Sequence, residues 1–284
     1  MKQPELTVRL GQLRLLLRGA LPPKTPESYL WRFADSGAPD VVCEIALAPH
    51  LSAPMTEPFF RDYGKAVYAA DEATVIAYFT PGKTAECYAL LTEPKDAPER
   101  LTLQISDRLE DYLEKYILSC LAMEHLLLRH GAAIFHAAWF EQEGKALLFS
   151  GASGAGKSTH TALWAATRDV EMINGDKALL FRRGDALWAA GLPFAGSSGI
   201  CKRRALPVHS VVFLAHGAEN ALRRMDSPEA VRTLLSQMPL QRWCAGDVSA
   251  ALELALFAAE RLPVYAYACL PDASAVAYLE RAQF

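Results

Sequence analysis

Residues 149–160 read FSGASGAGKSTH, and no other stretch restricts the fold as strongly. The run fits G-x-x-x-x-G-K-[ST], with Gly151, Gly156, Lys157 and Ser158 at the fixed positions and Gly154 as a third glycine. Glycine enters left-handed backbone conformations at little cost, so successive amide N–H groups in such a loop turn inward as a nest for anions. The nest works only between a buried strand and a helix whose positive end points at the anion. Both flanks fit: "KALLFS" leads in as an apolar strand and "KSTHTALWAATR" leads out as a helix. The expected ligand is the phosphate chain of a nucleotide, held by Gly151, Ser153, Gly154, Ala155, Gly156, Lys157, Ser158 and Thr159. Lys157 supplies a mobile point charge, the Ser158 hydroxyl ligates magnesium, and Thr159 supports the helix start rather than binding metal.

The rest of the chain narrows the class. At 284 residues, with 51% hydrophobic and 21% charged side chains, it suits one large or two modest folded domains. A formal net charge of −3 provides no global positive field for nucleic acid or an anionic membrane, so neither is an expected partner. Cys43, Cys87, Cys120, Cys201, Cys244 and Cys269 are scattered, without a C-x-x-C pair, which argues against a zinc site or a disulfide framework. The first residues lack a signal-peptide pattern and no apolar run reaches bilayer length, so the expected location is the cytoplasm.

Residues 1–103 read as a β-rich region, a meander or small sheet, with no chemical motif. A single helix is expected over "SDRLEDYLEKYILSCLAMEHLLLRHG", with His125 and His130 in surface or helix-dipole roles near its end. "AAIFHAAWFEQEGKALLFSG" predicts two strands joined by a turn. "VEMINGD" predicts a strand with a polar end, and "KALLFRRGDALWAAGLPF" a hairpin. A strand at "ALPVHSVVFLAHG", a helix capped by Ser227, a second helix, the strand "VYAYACL" and a last helix complete the alternation.

Phosphoryl transfer also wants magnesium held from a second side and an acceptor hydroxyl relieved of its proton. Asp176, at the end of "MINGD", is the candidate, either as magnesium ligand or as base; the plain alternative is a residue capping a turn. Lys177 beside it is either a phosphate contact or a surface lysine. His136, in the apolar run "IFHAAWF", is either a satisfied core histidine or part of the reacting site.

Taken together, "FHAAWFEQEGKALLFSGASGAGKST", "MINGDK" and "GLPFAGSSGICKRRALPVHSVVFL" resemble the HPr serine kinase/phosphorylase-like branch, whose core is the phosphoenolpyruvate-carboxykinase type of P-loop fold. The resemblance covers roughly residues 104–284 and implies an α/β chain with a P-loop kinase core over 104–284 after the β-rich region of 1–103, whose separateness makes it the candidate for docking the acceptor. It implies an ATP- and Mg2+-dependent kinase of a serine-type hydroxyl, with His136, Lys157 and Asp176 catalytic and Ser158 and Asp176 on the metal. A peptide or small protein is the implied acceptor, and homo-oligomers occur among such relatives. The family's pair of adjacent aspartates is reduced here to Gly175–Asp176, and its arginine signature is replaced by "AGSSGICKRR". Lys202, Arg203 or Arg204 then either neutralises charge on the transferred group or belongs to an ordinary basic loop. The missing aspartate leaves a catalytically weak nucleotide-binding regulator or assembly factor as the alternative. A carboxykinase-type decarboxylase lacks its metal-binding set, and a GTPase lacks N-K-x-D.

Overall fold

The computed structural model describes residues 3–81 and 86–283. The chain forms two compact units, Met1–Leu126 and Leu127–Phe284. The division thus falls later than 103/104. The residues after 103 run into a 3-10 turn, Asp107–Tyr112, and helix Leu113–Cys120. That helix packs on the first unit's sheet with Tyr116 edge-on to Tyr88 at 5.4 Å.

In the first unit the strands are β1 (Glu5–Leu10), β2 (Leu13–Gly19), β3 (Val41–Ala48), β4 (Phe60–Asp62), β5 (Lys65–Ala69), β6 (Ala73–Phe79), β7 (Cys87–Pro94) and β8 (Arg100–Ser106). They form one sheet in the order β1-β2-β3-β8-β7-β6-β5-β4. It is larger than the expected meander because β8 inserts between β3 and β7, and the β2–β3 and β3–β8 pairs are parallel. The helices here are α1 (Tyr29–Arg32), α2 (Leu113–Cys120) and the start of α3 (Met123–Arg129). The expected single helix over 106–131 is therefore broken. Ala122 sits at φ 45°, and a left-handed residue cannot continue a right-handed helix. His125 is also not a surface residue: it is buried, with Nε2 3.3 Å from Glu93 Oε2.

The second unit begins with β9 (Ala132–Gln142) and β10 (Lys145–Ser150). Glu143 and Gly144 join them with φ of 51° and 75°, the doubly positive geometry of a tight hairpin. There follow α4 (Lys157–Thr167), β11 (Glu171–Asn174), β12 (Lys177–Arg183), β13 (Ala186–Ala190) and β14 (Ala205–His216). The last elements are β15 (Ala221–Arg224), α5 (Ser227–Ser236), α6 (Ala245–Arg261), β16 (Val264–Cys269) and α7 (Ala273–Gln283). The cap of α5 is Asp226, whose Oδ1 accepts the Glu229 N–H at 2.8 Å, one residue before the expected Ser227.

Two long strands organise this unit. The first half of β9 pairs with β12 and the second half with β10. β14 likewise pairs with β13 early and with β10 and β16 later. The loop-bearing strand β10 therefore lies between antiparallel β9 and parallel β14, as an interior strand. Its side chains alternate between two buried layers. Leu147 and Phe149 join Phe140, Val212, Leu214 and Tyr267 beneath Trp164 of α4 and Val276 and Leu279 of α7. Ala146 and Leu148 face the opposite layer with Trp139, Val211, Leu234 of α5 and Leu254 of α6. Among the described residues no helix is long and apolar enough to cross a membrane.

Trp164 anchors α4, and with it the helix end that follows the glycine loop. It is fully buried, 5.1 Å from the Phe140 ring centroid and 6.3 Å from that of Phe149. Trp164→Ala is expected to cost ~3–5 kcal/mol in urea unfolding. A loss below ~1 kcal/mol would mean that α4 is held by something else.

Candidate active site

The loop between β10 and α4 has the expected backbone. Gly151, Gly154 and Gly156 all lie at positive φ, 137°, 80° and 93°, where other residues would be strained. Gly151 is needed for space too, since a Cβ there would lie 2.8 Å from the Leu214 carbonyl oxygen. The Lys157 ammonium donates to the carbonyls of Gly151 and Ala152 at 2.9 and 3.1 Å, folding the side chain back over the loop. Thr161 ties down the first helical turn by donating to the carbonyls of Lys157 and Ser158, while Ser153, Ser158 and Thr159 are exposed.

Strand register brings the remaining candidates to this loop. Ser150 is opposite Ala137, and its hydroxyl donates to the neighbouring His136 carbonyl at 2.7 Å. Lys177 pairs with His136 across β9 and β12, which sets Asp176 just beyond it. The result is His136 Nε2 3.6 Å from Asp176 Oδ1, close enough for strong electrostatic coupling but longer than a hydrogen bond. His136 is therefore not a sealed core histidine: its side chain is 44% exposed and that of Asp176 29%. Burial lowers the His136 pKa, the Lys157 charge lowers it further, and Asp176 opposes both. Lys157 is likewise pushed down by burial and pulled up by Asp176. Two cation-forming groups thus share one carboxylate, an arrangement that a bound polyanion would relieve.

Asp176 is held by a residue that sequence reasoning passed over. Asn174 is fully buried, and its side-chain oxygen accepts the N–H groups of both Asp176 and Lys177 at 2.9 Å. Its amide donates to the Phe194 and Leu192 carbonyls at 2.7 and 3.3 Å, tying that turn to the segment after β13. Asx residues commonly bond the backbone two residues on, so "N-G-D" carried that signal. The tether to 192–194 it did not carry. The "AGSSG" loop also approaches Asp176 directly. A Cβ on Gly196 would lie 2.7 Å from the Asp176 Cβ, and one on Gly175 would lie 2.1 Å from the Ser198 hydroxyl oxygen. The space for a side chain at 175 is taken by Ser198.

Two members of the basic run are placed elsewhere. Lys202 bonds Glu171 at 2.9 Å, and Arg204 bonds Glu141 at 2.7 Å. Glu141, on the far stretch of β9 beyond Trp139 and Phe140, pairs with Glu171 of β11. Nearer the loop lies His216, at the end of β14, with its Nε2 2.9 Å from the Gly154 carbonyl. His160, in the first turns of α4, is buried between Phe149 and Trp164, and burial pushes its pKa down to about 4.

No family model matches this sequence, and no curated protein does. Among solved structures, the Hpr(Ser) kinase/phosphatase from Coxiella burnetii aligns over 52% of this chain and 94% of its own, at 12% identity and a TM-score of 0.31. The likeness is distant. What the site can do is read from its own groups: a glycine-rich anion cradle, a lysine folded over it, and a half-exposed carboxylate and imidazole beside it.

Two outcomes follow from this geometry. In a histidine-resolved NMR titration, His136 should titrate below its ordinary value of 6.5, and Lys157→Ala should move it upward. Folding disfavours the protonated forms of His136 and His160, so the unfolded chain binds more protons below about pH 6.5. Stability contributed by their neutral forms is therefore whole above 6.5 and declines as pH falls toward about 4, the folded value for His160. A wild-type His136 midpoint at or above 6.5 would contradict its burial beside the cationic Lys157 outweighing the pull of Asp176. At the turn, Gly175→Ala should cost ~1–3 kcal/mol by crowding, and Ser198→Gly should recover most of that loss in a double-mutant cycle. Additive effects would show that Ser198 does not fill the space at 175.

Proposed function

We propose that this chain is a Mg-ATP-dependent kinase that transfers the γ-phosphate to a serine-type hydroxyl of a peptide or small protein. The observation that carries the reading is the meeting of Lys157, His136 and Asp176 at the open end of the glycine loop. An isolated anion nest needs no carboxylate beside it; a phosphotransferase needs one to take the acceptor's proton.

The roles follow from position. Amides of the loop and the N-terminus of α4 hold the phosphates, and the Lys157 ammonium exchanges its carbonyl partners for phosphate oxygens. Hard oxygen donors, the Ser158 hydroxyl and the Asp176 carboxylate, suit Mg2+, which when bound neutralises charge on the outer phosphates. Asp176 receives the acceptor hydroxyl's proton, and Asn174 holds its backbone in place. His136 is uncharged at neutral pH because its pKa is lowered, so it adds no competing cation beside Asp176. The partial exposure of His136 and Asp176 favours an acceptor presented on a chain over a small metabolite, which kinases enclose to exclude water.

One observation favours a second reading, a nucleotide-binding regulator with slow transfer: Ser198 occupies the space that a second acidic residue at 175 would need. Turnover separates the two. Lys157→Ala should lower Mg-ATP affinity at least ~10-fold in calorimetry. Asp176→Asn should leave affinity within a few-fold and cut transfer by ~10²-fold or more. Mass spectrometry of peptides incubated with Mg-ATP, with Lys157→Ala as control, shows whether phosphate moves and onto which residue. Unchanged transfer by Asp176→Asn would remove its role as base, and stoichiometric nucleotide binding without any phosphorylated product would select the regulator.

A further inference from the structure

Strand register gathers four chain ends at one end of the first unit's sheet. β3 and β8 run parallel and finish level, with Ala48 opposite Ser106. β7 starts where β8 finishes, with Ala89 opposite Ile105, and β6 finishes where β7 starts, with Phe79 opposite Cys87. At these ends lies a recess of about 460 Å³, large enough to seat a ligand. Its walls are residues 49–52 after β3, Thr80 after β6, residues 86–88 at the start of β7, and Ser106, Arg108 and Leu109. All belong to the first unit.

The same segments carry this unit's exposed apolar side chains. Met55, Phe59 and Tyr63 follow residues 49–52, and Tyr112 ends the 3-10 turn that holds Arg108 and Leu109. Tyr63 is brought back toward the recess because the carbonyl of Gly64 accepts the Phe79 N–H at 2.8 Å, one residue before Thr80. Among the described residues of the first unit, no other large hydrophobic side chain is as exposed. Single exposed apolar residues are ordinary; a set confined to the segments that wall one recess marks a binding surface. Methionine and aromatic residues are also the ones that binding surfaces favour.

We propose that this recess docks the peptide acceptor, taking one large apolar side chain with a carboxylate-bearing residue beside it in sequence. The inference rests on the kinase reading above. His50, Ser52, Thr80 and Ser106 offer an imidazole and three hydroxyls, groups that both donate and accept hydrogen bonds, as a peptide backbone requires. Leu51, Leu109 and the Tyr88 ring supply apolar wall for a side chain. Arg108 is the only lysine or arginine on the walls, and it has no hydrogen bond or ion pair among the described residues. A carboxylate is the natural partner for such a guanidinium. Glu86, the one acid on the walls, is already engaged within the protein. Asp107, Glu110 and Asp111, exposed on the same turn but outside the recess, repel a second acid. A phosphate chain would want more than one cation, and a lipid tail would strip water from the hydroxyls without replacing their hydrogen bonds. A peptide meets both demands. Docking on the first unit raises the local concentration of the acceptor and leaves the chemical step alone, so it acts on KM.

Random peptides displayed against the immobilised full chain test the recess without any phosphate transfer. The enriched sequences should share a large apolar residue beside Asp or Glu. Resynthesised with benzoylphenylalanine at the apolar position, they should photo-crosslink to residues 49–52, 86–88 or 106–109, a measurement that needs no variant. Met55→Asp, at a fully exposed position, should weaken their binding about fivefold. Arg108→Gln should abolish a preference for Asp over Asn that is about tenfold in the wild type. Peptides phosphorylated in the mass-spectrometric experiment above should compete with the enriched ones, and Met55→Asp should raise their KM with kcat unchanged. Crosslinks that fall elsewhere, enrichment of no peptide or of peptides without the apolar–acidic pair, or an Asp preference that survives Arg108→Gln overturns the recess as a peptide site. Phosphorylated peptides that neither compete nor respond to Met55→Asp overturn its role in docking the acceptor. If no peptide is phosphorylated while the crosslinks map to the recess, the kinase reading falls and the recess stands as a peptide site.

Discussion

Strand β10 is held on both sides, antiparallel to β9 and parallel to β14, and that pairing fixes where the glycine loop leaves the sheet. Because β10 is interior, the loop that follows it cannot drift; it leaves the sheet where Ser150 meets the His136 carbonyl. Because β9 is long enough to pair with β10 and then with β12, the same strand brings the Lys177–His136 pair, and so Asp176, to the loop. Side chains alternate along each strand, so a one-residue slip in the β9–β10 register would put His136 on the opposite face of the sheet relative to the loop. Phe140, Leu147, Phe149 and Trp164 on one side, and Trp139 and Leu148 on the other, are buried only in the observed register. The packing of the core thereby enforces the geometry of the site.

The site itself is built by close approach rather than by many charges. Asn174 uses both ends of its buried amide, one for the Asp176 turn and one for the segment after β13, and so joins two pieces of chain that would otherwise move independently. Gly175 and Gly196 then let the serine-containing loop lie against Asp176. A buried polar side chain with all its partners in place is rigid, and rigidity at a carboxylate is what proton transfer requires. Electrostatics adds the complement: Lys157 and His136 both have lowered pKa values, largely through burial, so the unliganded site carries a cation held at some cost. A polyanion bound at the glycine loop would lower that cost.

Local physics made much of the second unit legible. The glycine spacing, the apolar strand before it, the helix after it and the polar end of "MINGD" are all properties of short stretches, and each appears where the sequence places it. Helical periodicity was a poorer guide over residues 106–131, since period alone does not register a left-handed residue at Ala122. The basic run stays ambiguous in the sequence for a related reason. A lysine or arginine near a candidate site in sequence is available to it only if no nearer carboxylate claims it, and Glu171 and Glu141 claim Lys202 and Arg204.

By itself, then, the chain of amino acids determined the strand–glycine loop–helix unit, because glycine conformations, a helix start and a flanking apolar strand are encoded within a dozen neighbouring residues. It also marked His136 and Asp176 as candidates without deciding whether they meet. Their meeting, the filling of the space at Gly175 by Ser198, the diversion of two basic residues and the recess at the end of the first unit's sheet were decided by the tertiary structure alone. These contacts join residues that lie tens of positions apart in the chain. Only strand pairing and the burial of two apolar layers, which are cooperative and non-local, choose which distant residues become neighbours.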